Sequence, residues 1–171
     1  DKEGATHQGY YWVYHSPETK LVLFDYRQGR SKAGPTEVLK DFSGFLQTDG
    51  YAAYETLDAK RITLIHCMAH ARRYFEQALD NDQERSEYAL TQIQKLYDVE
   101  RTCRYNNYTH EQREELRKEK SLPVLAEMKD WLKTNHLHVL PKSLIGKAIN
   151  YSLERWDKLS LYGTNGKLEI D

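Results

Sequence analysis

The chain has 171 residues, 39% hydrophobic and 30% charged, with a formal net charge of −1. That length suits one domain, or one core with a subdomain, and the composition excludes wholesale disorder. No apolar run approaches the roughly 18–20 residues needed to cross a bilayer. The near-neutral charge removes any global electrostatic case for nucleic-acid binding, leaving only a local basic face. The polar start, Asp1-Lys2-Glu3-Gly4, has no signal-peptide core. With no initiator methionine, the sequence is expected to be an excised fragment or a processed product. Two cysteines, Cys67 and Cys103, make no disulfide framework, so a reducing cytoplasm is expected.

Tyr10-Tyr11-Trp12-Val13-Tyr14 follows Gly9 and is aromatic and β-branched, which predicts a strand. Leu21 to Tyr26 predicts a second strand, paired with the first as an antiparallel hairpin across the turn-rich 15–20 stretch. Gly29 to Gly34 is a basic loop. Pro35-Thr36-Glu37 opens a short helix to about Phe42. Phe45 to Thr48 predicts a short strand that ends at Asp49-Gly50. Tyr51 to Leu57 is a short helix or turn, Ile62 to Ile65 a strand, and Met68 to Leu79 a helix with Ala71, Phe75 and Ala78 or Leu79 on one face.

The next stretch, to Leu161, reads as almost wholly helical. Ala89, Ile93, Leu96 and Tyr97 fit one stripe. Leu122, Leu125, Met128 and Trp131 or Leu132 fit another, with Ser121 as N-cap and Pro123 in the first turn. Ile145, Ala148 or Ile149, Leu153, Trp156 and Leu159 form a third. Thr109 to Lys120 is charged all round and reads as a solvated helix laced with i,i+4 pairs. Gly163 to Asp171 reads as a turn and a short extended piece.

Strands separated by short helices make an α/β chain with a mixed sheet and flanking helices. In such sheets ligands gather beyond the carboxyl ends of parallel strands, where Asp49 falls. A lone Asp-Gly is a common turn pairing, so the wider context decides its meaning. The run Phe45 to Tyr54 (FLQTDGYAAY) resembles the segment around the second catalytic aspartate of the insertion-sequence sixty-six type of bacterial DDE transposases. Gly9 to Tyr14 resembles the strand after that family's first aspartate. His66-Cys67-Met68-Ala69-His70-Ala71-Arg72-Arg73-Tyr74-Phe75 is similar to its cysteine, alanine-histidine-alanine-arginine-arginine block. Gly166 to Asp171 is similar to the lead-in to its final catalytic helix.

The resemblance implies a ribonuclease H-like mixed sheet with flanking helices and a helical insertion subdomain. It divides the chain into a partial core at 1–80, an insertion at 81–162 and the lead-in at 163–171. It implies cleavage and strand transfer of DNA, at transposon ends and target, by a two-metal mechanism using Mg2+ or Mn2+. Asp49 then stands as catalytic residue and metal ligand. The family's first aspartate and its glutamate have no counterpart here; Glu169 and Asp171 lie near the glutamate's position without occupying it. The first central strand is therefore expected to be missing and the fragment to be inactive, with no metal bound. Open strand edges seek partners, so a homo-oligomer is expected. The implied location is the bacterial cytoplasm, with the nucleoid and no membrane. The alternative is a non-catalytic transposon remnant serving as a DNA-binding or assembly module.

Arg30 and Lys32 in the glycine loop, and Arg72 and Arg73 after the last strand, are candidate contacts to DNA phosphates, against the plainer reading of solvated surface charge. Cys67 and His70 could form half a zinc site, but no second pair appears. A buried thiol and a structural histidine are preferred.

Overall fold

The computed structural model describes residues 8–171, so the polar start Asp1-Lys2-Glu3-Gly4 lies outside the described residues. Two strands, β1 (Tyr10–Ser16) and β2 (Leu21–Arg27), are followed by α1 (Ala33–Val38), β3 (Gly44–Thr48), a 3-10 turn (Ala52–Thr56) and β4 (Ile62–His66). Then come α2 (Met68–Gln77), α3 (Gln83–Tyr105), α4 (His110–Leu116), a π turn (Arg117–Ser121), α5 (Leu122–His136), α6 (Leu144–Glu154), α7 (Trp156–Ser160) and a last 3-10 turn (Leu161–Thr164). No helix among the described residues is long and apolar enough to cross a membrane.

The chain is mixed α/β, but the expected single mixed sheet is not what the described strands form. They make two two-stranded sheets, β1 with β2 and β3 with β4. The hairpin is antiparallel, with Tyr10 opposite Arg27 and Ser16 opposite Leu21. The second pair is parallel. Gly44 N donates to Arg61 O at one end (2.9 Å) and Cys67 N to Thr48 O at the other (3.0 Å). Residues 49–61 provide the crossover that parallel pairing requires.

The chain divides into two compact units, one of Asp1–Gly44 with Tyr51–Thr63, the other of Phe45–Gly50 with Leu64–Asp171. In the first unit, β1 alternates as its aromatic pattern dictates: Trp12 is buried while Tyr11 and Val13 are exposed. Trp12 packs its ring against Tyr51 and Tyr54, with centroids 5.9 and 5.7 Å away. The partner strand β2 leaves Leu21, Val22, Leu23, Phe24 and Tyr26 exposed. Helix α1 starts at Ala33 and stops at Val38, ahead of the expected end at Phe42.

The second unit carries the main core. On α2, Met68, Ala71 and Phe75 are buried at helical spacing, and Ala78 just beyond continues the stripe. They meet Ala89, Ile93 and Leu96 of α3, Leu125, Met128 and Leu132 of α5, and Ile145, Ala148 and Ile149 of α6. Each large apolar side chain buried there contributes about 1.5–3 kcal/mol. The helices are punctuated by side-chain caps: Asp82 accepts from Arg85 N, Thr109 and Gln112 form a capping box, and Ser143 accepts from Gly146 N.

Two local expectations change. Ser121 does not cap a helix: it is fully buried inside a run that continues from α4 through the π turn into α5. The third helical stripe breaks at Arg155, which separates α6 from α7.

The largest correction concerns the charged helix. Arg113 and Arg117 are buried, Arg117 completely. Buried positions 113, 117, 121 and 125 fall every four residues. In a pure α-helix that spacing drifts round the axis; a π turn, with i→i+5 bonds, adds residues per turn and keeps the row on one side.

Candidate functional site

Asp49 sits one residue past the carboxyl end of β3, with its side chain exposed. The backbone around it is held from several directions. Thr48 is buried; its Oγ1 accepts from Gly50 N (3.3 Å) while its carbonyl accepts from Cys67 N. Gly50 has φ +81°, a left-handed conformation natural to glycine. The Asp49 carbonyl accepts a hydrogen bond from Tyr151 Oη at 3.0 Å.

Tyr151 and Arg155 come from α6 and its C-terminal cap, four residues apart and so on one face. The Arg155 guanidinium carbon lies 4.4 Å from the Tyr151 ring centre. Tyr74 of α2 stacks on that same ring at 4.4 Å and 24°. A Cβ on Gly50 would come within 2.9 Å of Arg155 Nε and 3.3 Å of Tyr151 Oη. Arg155 Nη1 donates to Glu154 at 3.0 Å, while its Nε is buried with no hydrogen-bond partner.

The N-terminus of α2 meets the end of the chain. Met68 N donates to Ile170 O (3.0 Å), and Ala69 N donates to the Asp171 carboxylate (2.9 Å). Tyr97 Oη donates to the same oxygen at 2.7 Å, and Cys67 Sγ lies 4.0 Å from it. A carboxylate belongs there, since the first amides of a helix lack intrahelical partners and carry a partial positive charge. Burial pushes the Cys67 thiol up, opposed by the amides of His70 and Ala69; the Asp171 charge raises it further and Arg73 lowers it. Burial and then the bond to Asp171 push Tyr97 up as well.

The terminal segment is gripped by Arg117. Its Nε and Nη2 donate to the two oxygens of the fully buried Glu100, both at 2.7 Å. Its remaining protons go to the carbonyls of Tyr162 (2.8 Å), Asn165 (2.7 Å) and Leu168 (2.8 Å). Those bonds use all five guanidinium donors. Arg113 adds a two-pronged pair with Glu169 and a bond to Gly166 O. Gly166 itself lies against the His110 carbonyl, where a Cβ would collide.

The candidate DNA contacts fall in different places. Arg72 and Arg73 lie on α2 of the same unit as Asp49; Arg72 pairs with Glu76 at 2.9 Å and Arg73 is exposed. Arg30 and Lys32 belong to the other unit. Arg30 lies over the rings of Tyr51 (4.5 Å) and Tyr10 (5.6 Å), and its carbonyl accepts from Tyr51 Oη, whereas Lys32 is exposed just before α1. Among the described residues no three His, Cys, Asp or Glu side chains are placed to hold a metal, and both cysteines are free. Sequence reasoning missed Tyr74, Tyr151, Arg155 and Arg117. The signals were weak: a Tyr–Arg pair four apart on an amphipathic helix, and two arginines four apart in a helix with no apolar stripe.

The model of the family described as "Transposase IS66 family" matches residues 1–171. The chain belongs to that family. It is also 30% identical, over 167 residues, to the uncharacterized protein y4jD of Sinorhizobium fredii (strain NBRC 101917 / NGR234), covering 92% of this chain and 32% of that protein. The uncharacterized protein y4qI of the same strain is 28% identical over 184 residues, covering 98% of this chain and 34% of its own length. The chain thus spans about a third of the length of the curated relatives it matches. No solved structure matches it.

Proposed function

We propose that this chain forms part of the catalytic region of a DNA transposase. In this reading its strands belong to a ribonuclease H-like core, residues 81–162 are an insertion, and Asp49 is one of the carboxylates that hold Mg2+ or Mn2+. The substrate is DNA, at transposon ends and at a target. The observation that carries the site assignment is the exposed Asp49 carboxylate beyond a parallel strand, on a backbone pinned by Thr48, Cys67 and Tyr151. A fixed backbone under an exposed carboxylate is what a metal ligand needs, because ligand geometry must be set before the ion arrives.

The described residues supply one ligand of this kind and no cluster that completes a metal site. They do not by themselves fit the metal pair. In the intact protein the other carboxylates would come from elsewhere in the sequence.

The test is strand transfer by the full-length protein on its own element ends, with Mg2+ or Mn2+ added. Asp49→Asn should lower the rate at least about a hundredfold, close to 3 kcal/mol of transition-state stabilisation, with circular dichroism unchanged. Activity equal to wild type would remove Asp49 from the site. A wild-type protein that binds the ends but never cuts them would favour a non-catalytic assembly role.

A further inference from the structure

The stack beside Asp49 is not explained by packing alone. Tyr74, Tyr151 and Arg155 come from two helices, yet they converge beside Asp49-Gly50. Tyr151 is the middle member: Tyr74 and Arg155 both pack on its ring, and its hydroxyl holds the Asp49 carbonyl. Tyr74 keeps 37% of its surface exposed, leaving part of its side chain open to solvent. Arg155 spends one nitrogen on the adjacent Glu154 and leaves its buried Nε without an acceptor. Glu154 is largely exposed and Arg155 partly so, and a solvent-screened pair of this kind contributes little, so Glu154 competes weakly for the guanidinium. Gly50 leaves the space into which Arg155 fits.

We propose that Tyr74, Tyr151 and Arg155 form a platform for unpaired nucleotides next to Asp49. Tyr74 stacks on a base, Arg155 takes the neighbouring phosphate, and Tyr151 ties both to the Asp49 backbone. An aromatic surface flanked by a guanidinium suits single strands, because every base has a face to stack and no base edge needs to be read. A duplex keeps its bases stacked on one another and offers the same platform only phosphates. The proposal rests on the reading of the Asp49 region as a DNA site, and adds which state of the DNA is bound there and by which groups.

The test uses the full-length protein and fluorescence anisotropy with a labelled oligothymidine and with a duplex of equal length. Tyr74→Ala should weaken oligothymidine binding between about fivefold and about 150-fold, the range for losing one base stack, and weaken duplex binding much less. Tyr74→Phe should bind like wild type, because the ring and not the hydroxyl does the stacking. Arg155→Ala should weaken oligothymidine binding and reduce the slope of log K against log salt by about 0.7, one phosphate contact to a single strand. Tyr74→Ala also loses the stack on Tyr151, so its melting temperature should fall by a few degrees while the fold persists, and Tyr74→Phe, which keeps the stack, controls for that loss. The proposal is overturned if Tyr74→Ala binds oligothymidine unchanged, if Tyr74→Phe is as weak as Tyr74→Ala, or if single-strand and duplex binding fall equally. These outcomes are separable from the fate of Asp49. Asp49→Asn with full strand transfer would remove the metal ligand while leaving the platform standing, and unchanged binding by Tyr74→Ala would do the reverse.

Discussion

Replacing Arg117 by methionine should be among the most damaging single changes available in this chain. Arg117 and Glu100 are both fully buried. Removing the arginine strands the glutamate, and breaking a buried pair in this way costs about 3–5 kcal/mol. It also strips a donor from the carbonyls of Tyr162, Asn165 and Leu168, at about 1–3 kcal/mol for each that water cannot reach. A domain is stable by only about 5–15 kcal/mol in total, so Arg117→Met should bring the second unit close to unfolding. Arg117→Lys keeps the charge but has three donors for five acceptors, and should fall between. The double variant Glu100→Leu with Arg117→Met removes the stranded charge and leaves the carbonyls. It should recover part of the loss and remain about 2–6 kcal/mol below wild type, the two buried carbonyls being left without a donor. Urea denaturation followed by the fluorescence of Trp131 and Trp156, both in this unit, measures all four proteins. A loss below about 1 kcal/mol for Arg117→Met would refute the reasoning. A double variant as stable as wild type would show that the carbonyl bonds do not anchor the terminal segment.

Gly50→Ala meets both an unfavourable φ and the Arg155 side chain; it should cost about 1–3 kcal/mol by denaturant unfolding and disturb strand transfer in the full-length protein, and a neutral result would mean that Arg155 moves aside freely. Burial, and then the Tyr54 and Asp25 environment, push Tyr14 up to about 12 from its usual 10.0. The folded state therefore favours the neutral phenol. Its contribution to stability is complete below pH 10 and is lost as pH rises towards 12. Unfolding midpoints across that window should fall less steeply in Tyr14→Phe, and an unchanged slope would contradict the assignment. Burial raises both thiols, so native protein near neutral pH should react with a thiol reagent far more slowly than free cysteine and yield two thiols only in denaturant; one fast equivalent would show that the Cys67 pocket opens.

Much of the architecture could be read from the residues in order. Aromatic and β-branched content around Trp12 marked the hairpin, and the apolar stripes marked α2, α3, α5 and α6, because burial of one helix face leaves a period in the sequence. Asp49 was legible because it ends a strand and precedes a glycine within a longer family-like run. The charged helix was misread for the opposite reason. Arg113, Arg117 and Ser121 are core residues without being apolar, and their four-residue spacing is kept on one face by a π turn that no hydropathy pattern records. Nor could one mixed sheet be told from two sheets, since strand patterns give faces and not partners.

The sequence by itself determined the family, the order of elements and the aspartate at a strand end. These follow from local pattern and from blocks in register. Only the tertiary structure decided that Tyr74, Tyr151 and Arg155 stand beside Asp49, and that Arg117 binds the terminal segment so that Asp171 caps α2. Those contacts join residues about 45 to just over 100 positions apart, and only the folded chain brings such distant groups within hydrogen-bonding distance.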